Sequence, residues 1–384
     1  MRIIIGADLV PTVSNYELFS KGDIETLIGA DLMEELNNAD YRIFNLETPL
    51  TDRKTPIVKC GPNFQTPPTT MNGLKKINPY FFTLANNHIL DQGEQGVIST
   101  INCLTENKIG YGGVGRNLQE ASKPYFFERK GIKVGIYCCA EHEFSIATES
   151  TYGANPFDPL ESLDHIIDMK KKCDVIIVLY HGGKEYYRYP SPDLQRICRK
   201  MVDKGADLVV CQHSHCIGCE EEWNNGVILY GQGNFLFDKS NSEYWKTSLL
   251  IALDIDENTK QTVVEYIPII KSDNVVRKAV NREGESIMEQ FMTRSDEIKK
   301  DGFVKKTYQE FAKEKQWEYM NALCGRTTTN RLFKLINIMS GYRFGKWYVN
   351  RKYSIRQRLG MHNRIRCEAH RELLLESLIG NDKK

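Results

Sequence analysis

Residues 206–215 read ADLVVCQHSH, an apolar run that ends on two histidines. The run from Ala206 to Cys211 has the length and the valine content of a buried β-strand. His213 and His215 follow it directly, and imidazole is the commonest protein ligand for first-row divalent metals. The stretch therefore predicts a strand that presents two metal-binding side chains at its carboxyl end.

The same pattern recurs at four other places in the chain. Each apolar run is followed by carboxylate, amide or imidazole side chains: Arg2–Ile5 by Asp8, Tyr41–Phe44 by Asn45 and Glu47, Tyr80–Leu84 by Asn86, Asn87 and His88, and Asp174–Tyr180 by His181. Residues just past the carboxyl ends of parallel strands meet in one crevice of an α/β sheet. We therefore expect these side chains to form one site, and their chemistry favours a metal site.

The segments between these runs have helical apolar spacing, as in Ser191–Lys204, where Ser191 caps the start and Gly205 closes the end. Strands that alternate with helices predict an α/β fold with a largely parallel core. Thr247–Ile255 and Thr262–Ile270 read as a hairpin. Beyond Lys271 the sequence predicts helices only, over residues 283–323, 330–339 and 354–378, so we divide the chain into a domain of residues 1–270 and a helical extension of residues 283–384.

Composition argues for a globular protein that does not span a membrane. Of the 384 residues, 41% are hydrophobic and 26% are charged, and no apolar run reaches the length of about 18 residues that a spanning helix needs. The first residues read as a strand, not as a signal peptide. We expect a cytoplasmic protein, either free or peripheral at a membrane. The odd cysteine count of 11 favours structural thiols, although Cys216 and Cys219 leave a zinc or redox motif open.

The run from Asn86 to Asp91 predicts catalytic as well as ligating groups. The carbonyl oxygen of the Asn87 side chain can ligate a metal, and His88 can act as a general acid next to it. Asp91, three residues on, can orient His88 by a hydrogen bond. The alternative is that the two asparagines form a simple Asx turn.

Five blocks, in this order along the chain, resemble the capsule-synthesis CapA family, also called the poly-γ-glutamate capsule biosynthesis protein family. They are Asn45–Pro49 (NLETP), Ala85–Gly93 (ANNHILDQG), Tyr180–Glu185 (YHGGKE), Gly205–His215 (GADLVVCQHSH) and Leu229–Asp238 (LYGQGNFLFD). This family is related to calcineurin-like metallophosphoesterases, and the resemblance covers residues 1–270. The chain departs from the family pattern at Gly182, where many members have tryptophan, and at Ala7, which is inserted between Gly6 and Asp8.

The resemblance implies an α/β fold built as a four-layer αββα sandwich of the metallo-dependent phosphatase type. It implies two divalent metal ions, which could be Mn, Fe or Zn, with these ligands: Asp8, Glu47, Asn87, His181, His213 and His215. By the same analogy Glu47 bridges the two ions, His88 and Asp91 are catalytic, and Asn234 and Asp238 shape the rim. The expected reaction is hydrolysis of a phosphate ester in an anionic or polymer-linked substrate during capsule, exopolysaccharide or poly-γ-glutamate biosynthesis. The alternative is a non-catalytic component of a surface-polymer synthesis or export complex.

The charge of the chain is divided unevenly. Residues 326–371 hold 12 Lys and Arg but one acid, so this segment carries about +11 while the net charge of the chain is +1. Such a basic, aromatic-rich extension suits a membrane surface or membrane-associated polymer-synthesis proteins, or contacts with the acidic remainder of the same chain or of another copy in an oligomer. Nucleic acid is the least favoured of the three partners.

Overall fold

A computed structural model describes residues 1–238, 242–323, 331–367, 369–371 and 374. The strands are β1 Arg2–Leu9, β2 Tyr41–Leu46, β3 Phe81–Thr83, β4 Gly110–Gly112, β5 Val114–Gly115, β6 Tyr125–Arg129, β7 Ile132–Ala140, β8 Gly153–Ala154, β9 Val175–His181, β10 Leu208–Gln212, β11 Ile217–Trp223, β12 Gly226–Gln232, β13 Asn234–Leu236, β14 Thr247–Ile255, β15 Thr262–Ser272 and β16 Val275–Lys278. The helices are α1 Tyr16–Lys21, α2 Ala30–Asn37, α3 Met71–Leu74, α4 Gly93–Glu106, α5 Leu118–Ala121, α6 Ser162–Lys170, α7 Pro192–Asp203, α8 Glu243–Lys246, α9 Asn281–Glu297, α10 Phe303–Leu323, α11 Arg331–Met339, α12 Arg343–Lys352 and α13 Ile355–Arg366.

Two large mixed sheets carry the fold. In the first, the order is β16-β15-β14-β1-β2-β3-β4, with β13 also paired to β1, and β1 to β4 are parallel to one another. In the second, the order is β11-β12-β10-β9-β7-β6, and its four inner strands are parallel. Because both sheets have parallel centres, each offers a row of strand carboxyl ends on which polar side chains can converge.

Three apolar clusters show that these sheets form a four-layer sandwich. One cluster lies between the first sheet and helices such as α2 and α4, and includes Leu32 and Val97. A second joins the inner faces of the two sheets, where Ile5 and Ile177 both contribute. The third packs α6 and α7 on the outer face of the second sheet and includes Met201. The predicted αββα architecture is thus confirmed.

Two buried glutamines connect the two sheets across their apolar interface. Gln212, the last residue of β10, donates to the backbone oxygen of Gly6 at 3.2 Å. Gln232, the last residue of β12, donates to the backbone oxygens of Ile5 at 2.7 Å and Leu249 at 3.0 Å. Both side chains are almost completely buried, so these hydrogen bonds fix how the sheets align.

The local predictions held where short-range chemistry sets the structure. Ser191 accepts a hydrogen bond from the backbone nitrogen of Leu194 at the start of α7, and Gly205 follows its end with a φ of +122°. The predicted hairpin is present as β14 and β15, with Ile255 paired with Thr262. The absence of strands beyond Lys271 was wrong, because β16 continues the first sheet.

The chain forms two compact units, residues 1–304 and 305–384. The domain limits of 270 and 283 drawn from the sequence stay a prediction. Helix α9 belongs to the first unit and packs against β11 and β15, where Ile287 and Phe291 join the cluster between the sheets.

The second unit is helical, as expected, and has a small core of its own. Trp317, Val349 and Tyr353 are buried there, and Phe333 stacks on Trp317 with ring planes 3° apart. The sequence had not predicted α12, and part of the helix predicted for Ser354–Leu378 lies outside the described residues. No helix in the described part of the chain is both long and apolar enough to cross a membrane.

Candidate metal centre

The side chains predicted to bind metal lie at the carboxyl ends of five parallel strands. Asp8 is the penultimate residue of β1, Glu47 follows β2 and Asn87 follows β3, all in the first sheet. In the second sheet, His181 ends β9 and His213 follows β10. Contacts join residues from the first sheet to residues of the second, so the crevice lies between the two sheets. The structure brings these six together: Asp8, Glu47, Asn87, His181, His213 and His215.

A β-bulge places Asp8 in this crevice. Ile5 pairs with Ile43 and Asp8 pairs with Asn45, so β1 has one residue more than β2 between these points. The inserted Ala7 is accommodated by this bulge, and β1 runs on to Leu9 instead of ending at Ile5 as the sequence suggested. The carboxylate of Asp8 then accepts a hydrogen bond from the Asn45 side chain at 2.7 Å.

The three histidines surround the crevice from the second sheet. Nε2 of His181 lies 3.0 Å from the side-chain oxygen of Asn87, 3.1 Å from Nδ1 of His213 and 3.3 Å from Oε1 of Glu47. His213 and His215 both have positive φ angles, of 80° and 53°. Such backbone conformations are uncommon outside glycine and concentrate at functional sites. This strained turn directs both imidazoles to the crevice.

Three buried carboxylate oxygens have no hydrogen-bond partner among the described residues. They are Oδ2 of Asp8 and both Oε1 and Oε2 of Glu47, and both residues are completely buried. A buried charge without hydrogen bonds is costly, and nearly all buried polar atoms in native proteins are satisfied. The unpaired oxygens therefore indicate a group that the protein atoms do not supply, and a cation fits their charge.

The donor set also fits a divalent cation in its spacing. One ligand atom each from Glu47, His213 and His215 lies within 4.8 Å of the others. Among the described residues, these three side chains form the group that is close enough together to hold a metal ion. Two ligands about 2.1 Å from one tetrahedral ion lie about 3.4 Å apart. The separations around Nε2 of His181, 3.0 to 3.3 Å, are close to that value. The residues present therefore suit a divalent metal.

The side chains around the crevice shift one another's pKa values strongly. Burial opposes the charged form of Glu47, but the neighbouring imidazoles, His181 first among them, together outweigh burial and lower the pKa of Glu47 to about 2. Burial also opposes protonation of His215, yet the Asp8 carboxylate and the charge of Glu47 raise the pKa of His215 to about 9. Burial and the charge of His181 hold the pKa of His213 well below its usual value. Positive charge is thus favoured near the two carboxylates.

The predicted catalytic pair is in contact beside this group. Nδ1 of His88 lies 2.6 Å from Oδ2 of Asp91, the contact expected if Asp91 orients the imidazole. Asp91 also accepts from the backbone nitrogen of Phe64 at 2.5 Å, and the Phe64 ring stacks on His88 with centroids 4.0 Å apart. The imidazole of His88 is therefore held on one edge and on one face.

Lys59 was missed by the sequence analysis. Its ammonium group forms an ion pair with Oδ1 of Asp91 and lies 3.3 Å from Nδ1 of His88, with both partners of the ion pair buried. Lys59 and Phe64 are in the loop between β2 and α3, which has no strand or helix pattern to mark it. No sequence signal distinguishes Lys59 from an exposed loop lysine.

Glu143 was missed as well, although a signal for it existed. It follows β7, another parallel strand that ends in polar residues, and its carboxylate accepts from Nδ2 of Asn87 at 3.0 Å. Oε1 of Glu143 lies 3.8 Å from Nε2 of His213. The side-chain oxygen of Asn234, expected at the rim, accepts a hydrogen bond from Nδ1 of His215 at 2.9 Å. Cys216 and Cys219 are buried free thiols.

Comparison with known proteins relates the chain to capsule synthesis. Residues 4–239 match the family described as bacterial capsule synthesis protein PGA_cap. The chain is 29% identical over 243 residues to the capsule biosynthesis protein CapA of Bacillus anthracis, covering 61% of this chain and 59% of that protein. It is 28% identical over 257 residues to the PGA biosynthesis protein CapA of Bacillus subtilis, covering 64% of this chain and 67% of that protein. A crystal structure of a phosphatase from Mycoplasma pneumoniae superposes with a TM-score of 0.47 and 16% identity, covering 71% of this chain and 94% of that one.

Proposed function

The chain belongs to the bacterial capsule synthesis protein family PGA_cap, and we propose that it serves surface-polymer biosynthesis as a metal-dependent phosphoester hydrolase. The polymer would be a capsular exopolysaccharide or poly-γ-glutamate, and the substrate an anionic or polymer-linked phosphate ester. The match to the family model supports the biosynthetic role. The reaction is inferred from the site.

The three unpaired carboxylate oxygens of Asp8 and Glu47 carry this proposal. Oε1 of Glu47 lies 3.3 Å from Nε2 of His181, and Oδ2 of Asp8 lies 3.4 Å from Nδ1 of His215. The described protein atoms give none of the three oxygens a hydrogen bond. Two groups of donor atoms can be distinguished. One surrounds Nε2 of His181 with atoms of Asn87, His213 and Glu47, and the other brings the imidazole of His215 next to Oδ2 of Asp8.

We therefore propose that these groups would hold two divalent ions, Mn, Fe or Zn, and Glu47 would be a ligand of both, as the family resemblance implies. The residues that would hold them are Asp8, Glu47, Asn87, His181, His213 and His215. Bound divalent metals supply Lewis-acid polarisation of a phosphoryl oxygen and a nucleophile at neutral pH. Mixed nitrogen and oxygen donors are compatible with all three metals.

The chain's own groups would then act on the leaving oxygen. Asp91 accepts the Nδ1 proton of His88, which leaves Nε2 of His88 as the ring nitrogen that can carry a proton to the leaving group. Lys59 holds Asp91 through Oδ1 and Phe64 covers one face of the imidazole. Both contacts restrict rotation of His88, and such positioning is what general-acid catalysis requires.

A metal and turnover assay tests the proposal. Purified protein would be analysed for bound metals and assayed with p-nitrophenyl phosphate and bis(p-nitrophenyl) phosphate, alongside Glu47→Gln and His213→Ala. We expect bound divalent metal in the native protein, and loss of both metal and turnover in the two variants. His362→Ala, at an exposed histidine of α13, is the matched control and should behave like the native protein.

The second candidate is a non-catalytic component of a polymer synthesis or export complex. The names of the two Bacillus relatives state a biosynthetic role and no reaction, which favours keeping this alternative. Full metal content with no turnover of either phosphate ester, together with co-purification of membrane-associated polymer-synthesis proteins, would support it. Native protein that is free of metal and cannot take up Mn or Zn would overturn both the metal site and the hydrolase.

A further inference from the structure

The last five residues of α11 expose apolar side chains and bury a polar one, the reverse of the usual pattern in a helix at a protein surface. Four of its last five residues are apolar and exposed: Leu335 (55%), Ile336 (37%), Ile338 (52%) and Met339 (78%). The fifth, Asn337, is polar and buried. In a soluble helix the apolar residues face the core and the polar residues face solvent.

The exposure of these apolar side chains follows from how the opposite side of α11 packs within the second unit. The side-chain oxygen of Asn337 accepts a hydrogen bond from the backbone nitrogen of Gly345 at 2.8 Å, and a Cβ on Gly345 would come within 2.7 Å of that oxygen. One turn earlier, Phe333 stacks on Trp317. Because these contacts fix the helix rotation, the apolar face formed by Leu335, Ile336, Ile338 and Met339 is left pointing outward.

The same part of the chain is strongly cationic. Residues 331–367 contain ten Lys and Arg and neither Asp nor Glu. Helix α13 has no buried residue, and it exposes Arg356, Arg364 and Arg366 together with Ile355 and Leu359. Helices that combine exposed aliphatic side chains with cations bind at the interface of anionic membranes, with the aliphatic groups among the acyl chains and the cations among the headgroups.

We propose that the second unit docks on an anionic lipid bilayer through the apolar face of α11 and the cations of α11 to α13. A second copy of this surface would bring ten positive charges against ten, which opposes self-association through it. Aliphatic side chains do not stack on bases, so the exposed groups on α11 suit lipid better than nucleic acid. The docking goes beyond the metal site and does not depend on it.

Vesicle flotation of the full chain tests this docking. The probes are vesicles of pure phosphatidylcholine and vesicles with 30% phosphatidylglycerol, at low and at moderate salt. We expect binding to the anionic vesicles, which weakens with salt, and at least about tenfold weaker binding to neutral ones. Leu335→Gln/Met339→Gln should weaken binding to anionic vesicles by about tenfold or more, because two aliphatic side chains no longer enter the bilayer.

Matched variants separate this surface from general effects of hydrophobicity and charge. Leu160→Gln/Val263→Gln replaces two exposed aliphatic residues of the first unit and should bind like the native protein. Arg356→Gln/Arg364→Gln should reduce binding and its salt dependence, whereas Lys75→Gln/Lys76→Gln should not. All four variants should keep the circular dichroism of the native protein.

Three results would overturn the proposal. The first is equal binding to neutral and anionic vesicles, or no binding to either. The second is unchanged vesicle binding by Leu335→Gln/Met339→Gln. The third is a concentration-dependent dimer, or an oligonucleotide complex, that this variant abolishes while the native protein does not float with vesicles.

Discussion

Replacement of Lys59 by methionine would test whether the buried contact with Asp91 supports the candidate catalytic histidine. Lys59 and Asp91 are 3% and 0% exposed as side chains, so the substitution removes one partner of a fully buried ion pair. Loss of one partner from such a pair costs about 3–5 kcal/mol. Asp91 keeps Nδ1 of His88 and the backbone nitrogen of Phe64, so we expect the lower end of that range, about 3 kcal/mol.

The assay is urea denaturation of the full chain, with the free energy of unfolding compared at constant m-value. Lys21→Met is the matched control, because Lys21 pairs with Glu17 on the exposed side of α1, and it should leave stability unchanged within error. Lys59→Met should retain its metal, since Lys59 contacts the backbone oxygen of Asn87 but no side chain of the proposed ligands. Its kcat should fall by about tenfold or more as His88 loses its orientation.

Two outcomes would refute this reasoning. If Lys59→Met and Lys21→Met have the same stability, the buried ion pair does not contribute as its burial implies. If Lys59→Met loses metal along with activity, then Lys59 supports the ligands and not His88.

Three further predictions follow from other parts of the first unit. Removal of divalent metal with a chelator should lower the midpoint of thermal unfolding, and added Mn or Zn at about 100 times Kd should restore about 2.7 kcal/mol, whereas Glu47→Gln should show no such response. Gly6→Ala should destabilise the protein by about 1–3 kcal/mol in urea denaturation, because its Cβ would come within 2.1 Å of the Phe44 ring. Gly360→Ala on α13 should not, because its Cβ would make only an ordinary contact with the Arg364 side chain, at 3.8 Å. Burial lowers the pKa of Lys271 from 10.5 to about 8, so its folded form holds a costly charge below pH 8 and loses it as the pH rises. The free energy of unfolding of the native protein should therefore rise by about 3 kcal/mol relative to that of Lys271→Met between pH 8 and 10.5, because the native protein no longer buries a charge there; a constant difference would contradict the shift.

The sequence was informative where chemistry is local and less so where it depends on tertiary contacts. The strand-end pattern located Asp8 and His181 because parallel strands must align their carboxyl ends, and Ser191 marked its helix through a cap that involves three residues. The bulge at Ala7 depends on how β1 pairs with β2, and β16 depends on pairing with β15, which neither segment encodes alone. Lys59 contacts Asp91 only because the loop between β2 and α3 folds over Asp91, and the local sequence does not encode that fold. Helix α12, with its aromatic residues and a glycine, is stabilised by packing on Trp317 and Phe333 and has weak helix propensity.

Gln212 and Gln232 impose a condition on how such a protein can be altered. Three of the six proposed ligands come from each sheet, so the coordination distances depend on the offset between sheets that these two amides set. A chimera that took one sheet from a relative would need the same amide contacts before its histidines and carboxylates could share an ion. Substitution of either glutamine by leucine would permit the two sheets to shift relative to each other while each stayed folded. We expect such a variant to lose more free energy of metal binding than free energy of unfolding.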